Sequence, residues 1–220
     1  MRSPLSSLLA VLAVAAAACG GRGAVGPSAD GPGTAGATAA ARLEALYRAR
    51  ADSALLRFTQ ADVEFMTGMI GHHAQALEMA GLAPSRDASP TLRTLAARIK
   101  SAQQDEIDRM RGWLSARGIP APEVMTMNGH VMTHGAGHSM PGMLTAEQMA
   151  QLDAARGPDF DRLFLKFMIQ HHRGAVTMVA GLLATHGAAR EPVVFKLASD
   201  IHADQVTEIA RMERLLVTLP

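Results

Sequence analysis

Apolar residues recur at three- and four-residue spacing along most of this 220-residue chain. No run alternates apolar and polar positions with β-branched enrichment, so the pattern predicts helices and disfavours sheet. A short helix is expected from Ala39 to about Leu56. A long one follows from about Thr59, with Thr59 and Asp62 as its start, to Leu82, where Ala83-Pro84-Ser85 stops it. Ser89-Pro90 opens the next helix, which runs to about Ala116 before Gly118 and Pro120 end it. A second pair begins near Pro158-Asp159, turns at Gly187-Ala188 and closes with a helix from about Glu191 to Leu216. Four long antiparallel helices with a long central connection predict an all-α bundle made of two helical hairpins, for which a ferritin-like connectivity is open.

The two hairpins repeat one another in sequence. Met69-Ile70-Gly71-His72-His73 with Met79 reappears as Met168-Ile169-Gln170-His171-His172 with Met178, and Asp62 and Phe65 reappear as Asp161 and Phe164. Gln103, Glu106, Ile107 and Met110 recur as Gln205, Glu208, Ile209 and Met212. Each repeat therefore holds a His-His helix and then a Gln-x-x-Glu-Ile-x-x-Met helix. The expected organisation is a leader over residues 1–18, a tether over 19–38, a short helix over 39–57, hairpins over 58–118 and 144–220, and a connection over 119–143.

Composition narrows the class. Hydrophobic residues make up 48% of the chain, enough for one domain with a core, and aromatics only 4%. The formal charge of +1 falls to zero if Arg2 leaves with a leader. With no basic stripe interleaved with aromatics, nucleic acid is not an expected partner. One early arginine, an apolar stretch from Leu8 to Ala18 and small residues before Cys19 have the anatomy of a secretory leader. That stretch is too short to span a bilayer as an anchor. Cys19, followed by Gly20 and Gly21, resembles a lipoprotein cleavage site, although Ala16 stands where leucine is usual. Lipid anchoring at Cys19 and plain secretion both place the protein in the periplasm or cell envelope. As the only cysteine, Cys19 excludes a disulfide framework and a thiolate-rich zinc site. Residues 20–38 are mostly Gly, Ala, Pro, Ser and Thr with little apolar bulk, hence the expected tether.

The chemistry rests on His-His spacing. Residues seven apart on a helix share a bearing, so His72 aligns with Met79 and His73 with Met66, and Met69 is within reach of both histidines. The second copy repeats this with Met168, His171, His172 and Met178, while Leu165 replaces the counterpart of Met66. Imidazole and thioether without thiolate form a soft set suited to copper(I) and silver(I). Iron is poorly served, since no Glu-x-x-His occurs, and metalloprotease His-Glu-x-x-His is also absent. Gln103, Glu106, Gln205 and Glu208 are candidates to orient the imidazoles through their other ring nitrogens. Methionines at helical spacing are more often core filler, but adjacent histidines occurring twice in register would be an odd way to fill a core.

The connection holds Met125, Met127, Met132, Met140 and Met143 with His130, His134 and His138 in nineteen residues. Glycines and Pro141 argue for an irregular segment there, suited to capturing a labile ion and harder to explain as a mere linker.

The two Met-Ile-x-His-His phrases, Phe160-Asp161-x-x-Phe164-Leu165, Leu144-Thr145-Ala146-Glu147-Gln148-Met149 and the Gln-x-x-Glu-Ile-x-x-Met helices resemble the DUF305 family over about residues 58–217. That resemblance implies a ferritin-like helical bundle in bacterial envelopes, some of whose members bind copper in the periplasm and support copper resistance. It places the family's ligand positions on Met69, His72, His73, Met79, Met168, His171, His172 and Met178. Two departures from the family pattern stand out: Gly71, where proline is common, and Arg173, where glutamate is usual and whose charge would oppose a cation beside His172. The resulting expectation is a non-enzymatic metal buffer or chaperone for copper homeostasis, with metal ions and other envelope copper-handling proteins as partners. Met110 and Met212 complete its candidate ligands. The competing expectation is a structural or interaction bundle whose histidines only fix helix register. An enzyme is disfavoured, since no nucleophile with a paired base and no phosphate loop is present.

Overall fold

A computed structural model of the chain describes residues 32–55, 57–127, 130–133 and 140–219. The elements are α1 (Pro32–Leu55), α2 (Gln60–Leu82), α3 (Pro90–Ser115), β1 (Val124–Met127), β2 (His130–Thr133), α4 (Ala146–Ala154), α5 (Gly157–Ala184) and α6 (Pro192–Thr218). Among the described residues, no helix is long and apolar enough to cross a membrane. The chain divides into units 1–45 and 46–220, with the division inside α1.

The helix ends follow from local chemistry. Thr59 caps α2 by accepting from the Asp62 amide while the Asp62 carboxylate accepts from the Thr59 amide, a reciprocal capping box. Ser89 caps α3 with Pro90 in its first turn, and Glu191 caps α6 by accepting from the amides of Val193 and Val194. Each hairpin also ties down the other. Asp62 Oδ1 accepts from the Ala189 amide at 2.7 Å, in the turn of the second hairpin. Its repeat partner Asp161 accepts from the Ser89 amide at 3.2 Å, in the turn of the first. Conversion of both aspartates into caps for the opposite hairpin gives the repeat its reciprocal form.

Helices α2 and α3 pair closely, as do α5 and α6, and the two hairpins meet chiefly along α2 and α5. Two apolar clusters result. One joins Phe65, Met66, Met69, Ile70, Ile107 and Met110 to Val194, Leu197 and Ile201; the other joins Met79, Leu92, Leu95 and Ile99 to Phe160, Phe164, Met168 and Met212. Along α2 and α5 the histidine pairs fall between the stretches that feed the two clusters, so a polar layer crosses the middle of the core.

Three expectations need correction. The helix expected from Ala39 begins at Pro32, inside the stretch read as a tether, because Pro32 can stand in a first helical turn and the alanines after it favour helix. The short helix α4 was not foreseen; Thr145 and Gln148 form its capping box. The connection is not irregular throughout: β1 and β2 pair antiparallel, Val124 opposite Thr133 and Met127 opposite His130. The missed signal is Asn128-Gly129 between two short runs, the strongest short-range hairpin signal a sequence carries. Cys19, His134, His138 and the leader lie outside the described residues.

After the hairpin, residues 140–144 cross over the α2–α5 seam. Gln75 grips Leu144 with both ends of its amide, donating to the carbonyl at 3.1 Å and accepting from the amide at 2.8 Å. Gly142, at φ +76°, lies against Gly174 of α5, where an added Cβ would fall on the Pro141 carbonyl. Gly174→Ala is therefore expected to destabilise the fold by about 1–3 kcal/mol. Denaturant unfolding would measure that, and hydrogen exchange should show lost protection at the Leu144 amide.

Candidate metal centre

All four histidines of the repeated phrases are fully buried at 0% exposure, and they part into an inner pair and two outer ones. On each helix the adjacent rings diverge, 6.4 Å apart for His72 and His73 and 6.3 Å for His171 and His172. A helix turns about 100° per residue, so neighbours cannot face the same way. His72 and His171 meet across the hairpin interface with ring centroids 3.8 Å apart and planes tilted by 37°. His73 turns to Glu106 of its own hairpin, Nε2 to Oε2 at 2.7 Å, and His172 to Glu208 of its own at 2.6 Å.

These partners fix where the lone pairs lie. Carbonyl and carboxylate oxygens accept, so His72 Nε2 donates to the Pro141 carbonyl at 3.0 Å, and the outer rings donate through Nε2 to their glutamates. In a neutral ring the lone pair then sits on Nδ1. Nδ1 of His72, His73 and His172 has no hydrogen-bond partner, and neither nitrogen of His171 has one. Gln103, Glu106 and Gln205 add further unpartnered buried atoms to the same layer. Buried polar atoms normally find partners, so a run of orphans in one layer is a departure that calls for a ligand or a cost.

Electrostatics keeps the inner pair uncharged. Burial, reinforced by neighbouring His73 and His172, lowers the His72 pKa to about 3. Burial and the other three imidazoles push His171 well below the usual value. Neutral imidazole is the form that ligates a metal. On α6, Asp204 was missed in sequence. Partial burial and the nearby carboxylates of Glu106, Glu208 and Asp200 raise its pKa. Its position one turn before Glu208, on the same helix face, was the available signal. The Glu208 side chain is 20% exposed and, with Asp204, lines a surface depression that also includes Leu95 and Arg211. The polar layer thus meets a depression whose two carboxylates are balanced by Arg98 and Arg211.

The expected thioethers are placed as follows. Met69 and Met110 pack in one apolar cluster, and Met79, Met168 and Met212 in the other, all fully buried. Met178 is half-buried; its methyl and the Met140 sulfur both approach the bare backbone of Gly68, one turn from His72. Met143 is half-buried beside them in chain order. Arg173 is not the opposing charge expected beside His172: it points outward, 65% exposed, and pairs with Glu213 at 2.7 Å. Among the described residues, no three His, Cys, Asp or Glu side chains already converge on one point. The donor set suits a soft monovalent ion, which takes few ligands, better than a divalent ion needing a larger shell.

Residues 62–216 match the DUF305 family, described as a domain of unknown function. No curated protein sequence matches. Among solved structures, a DUF305 fragment from Deinococcus radiodurans is 33% identical, with TM-score 0.61, over 74% of this chain and 99% of that one. CopM in its Cu(I)-bound form is 29% identical, with TM-score 0.52, over 70% of this chain and 94% of that one. Its Cu(II)-bound form is 31% identical, with TM-score 0.55, over 70% and 95%.

Proposed function

The chain belongs to the DUF305 family, and from that premise and the buried histidine layer we propose that it binds copper(I), and silver(I) by the same chemistry, as a metal buffer or chaperone of the cell envelope. The observation that carries this reading is the inner pair: two imidazoles 3.8 Å apart, held neutral in the core, with unpartnered nitrogens. Likeness to CopM, solved with Cu(I), Cu(II) and silver, supports the ion class. His72 and His171 would supply nitrogen at the centre. His73 and His172, oriented by Glu106 and Glu208, would stand beside them, and Met69, Met79, Met168 and Met178 would be the thioethers within a helical turn or two. An envelope location rests on the leader-like N-terminus and on a Streptomyces coelicolor DUF305 relative described as secreted. Cys19 would carry a lipid anchor.

A structural reading has one observation of its own: Glu106 and Glu208 already hold the outer rings, as register-fixing contacts would. A competitive titration of residues 20–220 with cuprous ion against a chromogenic chelator, alongside zinc, separates the two. Tight cuprous and weak zinc binding is the expected result. Absence of cuprous binding would leave the histidines as bundle architecture.

A further inference from the structure

Repeat symmetry fails at one end of the α2–α5 seam, and the failure uncovers sulfur. Aligned on the His-His phrases, Gly68 corresponds to Phe167 and Met79 to Met178. Phe167 packs against the apolar cluster that holds Met79, and Met79 is fully buried. At the other end the same positions carry bare backbone at Gly68 and a half-buried Met178. A Cβ at position 68 would lie 3.4 Å from Met178 Cε and 3.7 Å from Met140 Sδ. Two thioethers therefore converge at a position where the other repeat carries an aromatic ring. Gly68 precedes His72 by about one helical turn and Met178 follows His171 by about two, so both lie close to the bearing of the inner histidine on their helix. Met140 adjoins Pro141, whose carbonyl accepts from His72 Nε2 at 3.0 Å.

We propose that Met140 and Met178 form the entry site of the histidine layer, a solvent-reachable pair of sulfurs that takes a Cu(I) or Ag(I) ion and passes it to His72 and His171. The proposal rests on the soft-metal reading of the protein and adds to it the route by which the ion arrives. Met178 is thereby assigned to uptake and not to the resting site. Burial supplies the reason for a separate entry. The four histidines have no exposed surface, so an ion in solvent does not meet their lone pairs first, whereas Met140 and Met178 are both half-buried. Along α2, Gly68 lies about 6 Å from the level of His72, a short step for an ion already held by sulfur. Neutral thioethers select soft monovalent ions and offer nothing to magnesium or calcium. Methionine is also unbranched with three rotatable bonds, so its sulfur can follow the ion inward, and the bare backbone of Gly68 leaves room for that movement.

Methionines laid over bare backbone can also be apolar cover. Leucine separates the possibilities, since Met→Leu keeps bulk and hydrophobicity and removes the sulfur. The test is stopped-flow transfer of Cu(I) from a chromogenic chelator to the full mature chain, with the end-point affinity read from the same competition. Met140→Leu/Met178→Leu is compared with the wild type, and urea unfolding of both checks that the fold is kept. A second measurement does not depend on that variant: Ag(I) is added to His171→Leu, in which the inner pair is disabled, and the methionine methyl signals are followed by NMR.

The leucine variant should take up Cu(I) about tenfold more slowly than the wild type, with its end-point affinity within about twofold. In His171→Leu, the Met140 and Met178 methyl signals should still shift on Ag(I) addition. An unchanged uptake rate in the leucine variant would overturn the proposal. So would a loss of affinity as large as the loss of rate, because the two sulfurs would then belong to the resting site. Methyl signals of Met140 and Met178 that ignore Ag(I) in His171→Leu would count against it equally. A wild type that takes up neither ion would instead remove the soft-metal reading itself, so the two failures are distinct.

Discussion

His171→Leu is expected to leave a folded protein whose apo form is more stable than the wild type by about 1–3 kcal/mol and whose stabilisation by Cu(I) or Ag(I) is lost. The reason lies in what His171 does without metal. Both ring nitrogens are buried without a well-formed hydrogen bond, its ring faces another imidazole, and only a weak approach to the His72 backbone depends on it. An apolar side chain of similar size removes the desolvation cost of those nitrogens and breaks no well-formed hydrogen bond. His72 is a less clean choice, since its loss strands the Pro141 carbonyl. With saturating metal at a hundred times Kd, the wild type should gain about 2.7 kcal/mol in unfolding free energy, and the variant nothing through this site. Thermal or denaturant unfolding with and without Ag(I) measures both terms. A purely structural histidine layer predicts the reverse, a destabilised variant and a wild type indifferent to metal.

Mild acid should unfold the apo-protein through the same pair. His72 has a folded-state pKa near 3 against an unfolded value of 6.5, and His171 is shifted in the same direction. A depressed histidine pKa means the unfolded chain takes up the proton first. Stability is therefore at its full value above about pH 6.5 and falls as pH drops from there towards 3. At pH 5 the His72 term alone amounts to roughly 2 kcal/mol, and His171 adds to it. The groups that face the pair act together: His73 and His172 oppose its protonation, and no carboxylate stands among the causes of either shift. Asp204 works the other way, because its raised pKa makes protonation in the fold favourable, although most of that group lies in solvent. Urea unfolding at pH 7.5, 6 and 5 should show a steady loss, and His171→Leu should flatten the profile. A stability flat to pH 5 in the wild type would mean the inner rings reach water and lie less deeply than this structure has them. Bound Cu(I) or Ag(I) should hold stability up across the same window, since metal takes the lone pairs that protons would need.

Much of this was legible from the chain. Thr59, Ala83-Pro84, Ser89-Pro90 and Gly187-Ala188 marked helix ends that the structure keeps within a few residues, because capping and helix-breaking are local effects. The duplicated phrases and Gln-x-x-Glu helices pointed to two alike hairpins, and Glu106 and Glu208 do meet histidines. Asn128-Gly129 is equally local, but the methionine and glycine content around it argues for an irregular segment. Other features were out of reach of any local reading. Spacing on one helix leaves open whether His72 or His73 faces the partner hairpin, since both are buried and a helix has no preferred side until something packs against it. Arg173 looked like a charge next to the site, yet the same rotation that sends His172 inward sends its neighbour out to Glu213.

By itself, then, the sequence determined the helices, their pairing into two repeated hairpins and the soft donor set, because periodicity, capping and side-chain chemistry act over a few residues. Only the tertiary structure decided that His72 and His171 become one central pair, that burial holds them neutral, and that the strap at Pro141 and Gly142 closes over them against Gly174. Those outcomes depend on two hairpins meeting across 99 residues of chain at an interface with no local signature: the loss of water around a ring, and the tautomer set by a distant carbonyl, exist only after the helices have packed.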